Sequence, residues 1–126
     1  MGCDIHIYAE RITENGKWEL DIEETISFAQ YGGMSRHYEV FAMIAGVRNR
    51  ENISVIIPTK GLPDDASDYV KERYDEFGYD AHHASWLYPS ELKKIGFDGN
   101  YKGISLAWYF FSVSKDNKRL VFWFDN

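Results

Sequence analysis

The sequence predicts an α+β fold: one domain over residues 1–126, a mainly antiparallel sheet of about four to six strands with about two or three helices packed on it. Three observations predict it. Within CDIHIYAERI, residues 3–10 alternate apolar and polar strictly, the period of a half-buried strand. RHYEVFAMIAGV places Tyr38, Phe41, Ala42 and Ala45 at i, i+3, i+4 and i+7, the period of an amphipathic helix. Near the C-terminus, KGISLAWYFFSVS and RLVFWFDN flank KDNK, which reads as two apolar strands and a hairpin connection.

In chain order, the first strand turns at Asn15-Gly16, a favoured hairpin pair, and returns through WELDI. Residues 23–33 carry mixed signals and read as a loop with a helical turn, broken at Gly32-Gly33. Ser35 is placed to cap the following helix and Gly46 to stop it. ISVIIP reads as a short buried strand closed by Pro58, and TKGLPDDAS as turn material. Ser67 or Asp65 caps the charged helix DYVKERYDEF. FGYDAHHASWLYP has no clear period, and SELKKIG reads as a short helix capped by Ser90 and stopped by Gly96. In the final ribbon, Ile104, Leu106, Trp108 and Phe110 share one face, and Ala107, Tyr109, Phe111 and Val113 the other. Both faces are apolar, which suits a central ribbon covered by helices or by a second copy of the chain.

A chain of 126 residues buries roughly two-thirds of the surface it exposes when unfolded. Its 44% hydrophobic content excludes global disorder, and its 17% aromatic content supplies both core and stacking material. The net charge of −6, with no basic block, argues against duplex nucleic acid as a partner. One cysteine leaves no internal disulfide and points to a reducing compartment. Neither a membrane-spanning apolar stretch nor a signal peptide is visible, and His6 stands where a myristoylation signal needs Ser or Thr. The expected location is the cytoplasm, without membrane association.

The candidate chemistry begins on the first strand. Asp4, His6, Tyr8 and Glu10 lie at every second position and so share one face. Asp4 and His6, joined by His82 or His83 and Asp80, could hold a divalent metal or divide acid and base roles. The plainer alternative is the wet side of a hairpin, and the spacing specifies no metal. Cys3 alternates with Ile5 and Ile7, which favours a buried apolar role over a nucleophile. Arg36, Arg48 and Lys60 can grip phosphate, and Gly61 lets backbone approach a ligand closely; taken alone, each cation reads first as a solvated surface charge. Tyr8, Tyr38, Trp86 and Tyr88 can stack on a planar group or serve as core. No dinucleotide, P-loop, nucleophile-elbow or zinc signature occurs, so no cofactor is expected.

Three blocks carry a resemblance: the start MGCDIH, the segment RHYEVFAMIAGVRN, and KGLPDDAS followed by DAHHASWLYPSEL. Together they resemble a group of small bacteriophage and prophage proteins that begin with MGCDIH, over roughly the first three-quarters of the chain. That group has a His-Ser-His-Ser arrangement where this chain has His82-His83-Ala84-Ser85, a departure that weighs against any role needing histidines two apart. The resemblance implies a phage-type protein that acts on host enzymes or host defence signals, in the host cytoplasm.

Three functions follow as expectations. The first is a binding module that captures a nucleotide-like ligand such as a host defence signal. Its pocket would use Asp4, His6, Tyr8, Arg36, Arg48, Lys60, Gly61, His82, Ser85 and Trp86. The second is a hydrolase of a phosphodiester or glycosidic bond in a nucleotide-derived substrate, with Asp4, His6 and His82 as catalytic groups. The third is a protein inhibitor of a host enzyme. Whether the protein is an enzyme stays open at this level, and the aromatic ribbon offers a surface for self-association.

Overall fold

The computed structural model describes residues 2–50, 52–53, 57–94 and 105–126. Among the described residues the sheet has four strands, β1 (Asp4–Ile12), β2 (Trp18–Leu20), β3 (His82–Leu87) and β4 (Lys118–Asp125), in the order β2-β1-β4-β3 with every neighbour antiparallel. Five α-helices accompany it among the described residues: α1 (Ile22–Gln30), α2 (Tyr38–Ala45), α3 (Asp68–Phe77), α4 (Pro89–Lys94) and α5 (Leu106–Ser112). The domain is α+β, as expected, with more helix than the two or three anticipated.

The first and last strands form the centre of the sheet. Their register runs from Asp4↔Asp125 to Arg11↔Lys118. Because side chains alternate along each strand, the sheet has two distinct faces. On one, Ile5, Ile7 and Ala9 join Leu120, Phe122 and Phe124 under Phe28, Phe41, Ile44, Trp108 and Phe111. On the other, Tyr8, Val121 and Trp123 lie under Val70, Tyr74 and Phe77 of α3. Helices therefore cover both faces, which explains why Leu120 to Phe124 are all fully buried and read as an unbroken apolar run.

The C-terminal ribbon is corrected. Residues 106–112 form α5, not a strand, so KDNK joins a helix to β4 and the aromatic hairpin proposed for self-association does not exist. An apolar run lacks a period that would separate helix from strand. Tertiary packing decides it: Ala107, Trp108, Phe111 and Ser112 turn inward at helical spacing, and Trp108 meets Phe28 edge to face at 5.0 Å. Trp108 and Trp123 belong to the core. Leu106, Phe110 and Val113 remain on the exposed side of α5.

Other elements differ in detail. Residues 22–30 are a full helix because Asp21 caps it, accepting from the Glu24 N–H at 3.1 Å, while Thr25 accepts from the Ala9 N–H of β1 at 2.9 Å. His37, not Ser35, occupies the cap position of α2, and Gly46 ends that helix at φ 70°, the left-handed conformation glycine tolerates. Ser67 caps α3 as expected, accepting from the Val70 N–H at 3.3 Å. The segment without a clear period contains β3, an edge strand with an irregularity between His82 and Ser85. The expected strand over ISVIIP falls largely on residues 54–56, and the Gly96 stop and Ile104 also lie outside the described residues. No helix among the described residues is long and apolar enough to cross a membrane.

Candidate functional site

The row on β1 runs from water into the core. Asp4 is exposed and paired with Arg36, whose Nε lies 2.7 Å from Oδ1; this hydrogen bond holds the Asp4 carboxyl below its usual range. His6 packs on Phe77 with ring centroids 4.4 Å apart, and its Nε2 lies 3.3 Å from Asp125 Oδ2. That nitrogen is shielded from solvent yet makes no hydrogen bond of good geometry among the described residues, so the pair is a close polar contact. Tyr8 stacks on Trp123 at 5.4 Å, meets the edge of Tyr69 at 6.0 Å, and accepts from Arg73 Nε at 3.3 Å. Glu10 is fully buried. Its Oε1 accepts from Arg119 Nε at 2.8 Å and its Oε2 from the Ser67 N–H at 2.7 Å. Helix α3 and the segment leading into it thus pack over His6, Tyr8 and Glu10, while Asp4 stays exposed beside Arg36.

The structure places the other candidates in two groups. Arg36 and Arg48 join Asp4 and His6 at one end of the sheet. Arg48 lies over the Tyr38 ring at 5.8 Å, and Tyr38 Oη accepts from the Cys3 N–H at 3.2 Å. Burial pushes the Cys3 thiol pKa up, and the Arg48 guanidinium offsets part of that effect. His82 is at this end too, but it registers with Phe124 and stacks on it at 6.1 Å, on the face opposite His6 and Trp123. Its Nδ1 is 2.8 Å from that of His83, and its Nε2 is 2.5 Å from Asn126 Oδ1. Asp4, His6 and His82 therefore do not converge on one reacting centre. No group of three or more His, Cys, Asp or Glu is placed to hold a metal ion among the described residues.

Lys60, Gly61, Ser85 and Trp86 form the second group. Along β4, the partner of His82 (Phe124) and that of Trp86 (Val121) are three residues apart, about 10 Å at roughly 3.3 Å per residue. The Lys60 N–H donates to Ser85 Oγ and the Gly61 N–H to the Ala84 carbonyl, both at 2.9 Å, so the loop is tied to β3. Gly61 sits at φ +81°, which favours glycine. The Lys60 ammonium lies 3.9 Å from the Trp86 ring centroid and 2.6 Å from Glu91 Oε1. With Leu62, Pro63, Asp64 and Asp65, these two side chains line an open groove of about 390 Å³. Behind it, Arg119 lies over Trp18 at 4.1 Å and over Trp86 at 5.4 Å, while its Nη1 holds Asp65 at 3.0 Å.

Sequence reasoning passed over Arg119, Glu91, Asp64 and Asp65 as participants. For Arg119 a signal existed: one arginine at the edge of an otherwise apolar strand has to find an acidic partner. The aspartates looked like ordinary turn residues, which they also are. The groove combines an aromatic face, a cation and carboxylates. It is equipped to stack a planar ring, meet an anion and accept hydrogen bonds from hydroxyls. The chain matches no protein-family model, and neither curated proteins nor solved structures give a match.

Proposed function

We propose that this protein binds a small nucleotide-like ligand in the groove between residues 60–65 and Trp86, and holds it without turnover. The supporting observation is the Lys60 ammonium 3.9 Å above the Trp86 ring, in a groove that also presents Asp64. A base would stack on Trp86, a contact worth roughly 1–3 kcal/mol in single-stranded nucleic-acid binders. Lys60 would meet a phosphate and Asp64 would accept from sugar hydroxyls. The groove lies at the small end of the range of about 300–1,000 Å³ common to small-molecule sites. In the phage setting that the sequence resemblance implies, such a ligand is a host defence signal withheld from its receptor.

The test is a titration of the purified chain with mononucleotides and cyclic dinucleotides, following tryptophan fluorescence and heat. Saturable binding that disappears in Trp86→Ala, with intact ligand recovered after denaturation, supports the reading. Absence of binding by every nucleotide probe overturns it.

One observation favours the hydrolase alternative: the shielded His6 Nε2 beside Asp125 Oδ2, a histidine–carboxylate contact without an optimised hydrogen bond. In that case one protein molecule converts many ligands, and His6→Ala stops conversion while binding survives. Stoichiometric recovery of unchanged nucleotide excludes it.

A further inference from the structure

The Trp86 face, on which the proposed ligand stacks, is already occupied. The negative face of an aromatic ring attracts a cation, and the Lys60 ammonium sits within that attraction at 3.9 Å. Two further contacts hold Lys60 there. Glu91 Oε1 pairs with the ammonium at 2.6 Å, and the Lys60 N–H is anchored on Ser85. Glu91 is itself fixed, because the same oxygen accepts from the Tyr88 N–H at 3.0 Å. The Arg119 guanidinium, itself buried, also lies 5.4 Å from the Trp86 ring centroid, while Trp86 and Lys60 both line the groove. A planar ligand and the ammonium need the same space above Trp86.

We infer that Lys60 is the specificity-determining residue of this groove: its ammonium covers the Trp86 face until a ligand supplies an anion that draws it aside. This inference rests on the groove being a nucleotide-like site and names the class of ligand it accepts. A nucleoside has to displace the ammonium from both the ring and Glu91 and returns nothing to it. A nucleotide displaces it too, but its phosphate provides a charge-assisted partner within reach of the flexible lysine stem. The groove thereby selects a ring and an anionic group carried on one molecule. Of the two carboxylates in the lining, Asp65 is already paired with Arg119 at 3.0 Å, and Lys60 is the lining residue that can answer an incoming anion.

The experiment compares adenosine 5′-monophosphate with adenosine on the full chain. The wild-type protein is expected to favour the monophosphate by about tenfold or more, an effect that weakens with added salt. Lys60→Met removes the charge but retains the backbone bond to Ser85 and the Tyr88–Glu91 bond, so the fold should persist; an unchanged unfolding midpoint checks this. In this variant adenosine binds more tightly than in the wild type, the monophosphate more weakly, and the preference collapses. Glu91→Gln loosens the ammonium from its carboxylate and is expected to strengthen monophosphate binding. Opposite shifts in the two variants support the inference. Monophosphate binding at Trp86 with an unchanged preference in Lys60→Met overturns the role of Lys60 alone. Failure of both probes on the wild type and both variants overturns it together with the nucleotide reading.

Discussion

Glu10 and Arg119 stand directly opposite one another on β1 and β4, and their carboxylate and guanidinium meet at 2.8 Å with both side chains removed from water. Glu10 also receives the Ser67 N–H that opens α3, and Arg119 reaches outward to Asp65. One ion pair therefore joins the two central strands to the wall of the groove. Removing one partner of such a pair leaves a buried charge uncompensated, at about 3–5 kcal/mol. Arg119→Met is expected to lose about that much in denaturant unfolding. The double variant Glu10→Leu/Arg119→Met should cost clearly less than the sum of the two single changes. Additive losses would show that the two side chains act independently.

Gly33 occupies a position that excludes a side chain. A Cβ there would lie 2.0 Å from Phe28 Cε1, and Phe28 is held between Trp108 at 5.0 Å and Phe111 at 6.4 Å. The ring cannot retreat without disturbing the core under α1 and α5. Gly33→Ala should destabilise the protein by about 1–3 kcal/mol, the usual cost of overpacking. A lowered denaturation midpoint at constant slope is the expected readout. A loss below about 0.5 kcal/mol, the scale of ordinary surface changes, contradicts this packing.

Asp4 and Arg36 make an exposed pair whose effect depends on pH. The Arg36 hydrogen bond lowers the Asp4 pKa in the folded state, and nearby His6 adds a smaller pull in the same direction. The unfolded chain therefore binds the proton more readily. The pair's contribution to stability is present above about pH 4, the ordinary aspartate range, and is lost as pH falls through the lowered folded value. Both partners are half exposed, with side-chain accessibilities of 52% each, so salt should weaken the effect. An NMR titration of the Asp4 carboxyl checks it: Arg36→Ala should return the midpoint towards the ordinary range, and an unmoved midpoint contradicts the assignment.

Legibility followed the distance along the chain over which each decision is made. The β1–β2 hairpin could be read because alternation and the Asn15-Gly16 turn are local. The Gly16 N–H indeed bonds the Thr13 carbonyl at 2.9 Å, with Gly16 at φ +77°. The caps at Ser67 and Gly46 could be read for the same reason. Residues 106–112 could not, because an aromatic run satisfies either period until a neighbour selects one. Trp108 and Phe111 are needed over Phe28, while β1 takes β4 as its partner. The candidate site divided in the same manner. Alternation correctly put Asp4, His6, Tyr8 and Glu10 on one face, but the cover that α3 provides joins residues up to 65 apart in sequence.

The sequence alone carried the local conformations: which residues share a strand face, where the hairpin turns, where helix α2 ends and where α3 begins. These follow from steric and periodic rules acting over a few residues. It took the packing of distant segments to make β1 and β4 central and to bring Arg119 to Glu10 across a separation of 109 positions. The same packing rests Lys60 on Trp86. Such contacts reflect which distant surfaces exclude water together and which buried charges find a counter-charge, and no short stretch of chain carries that information.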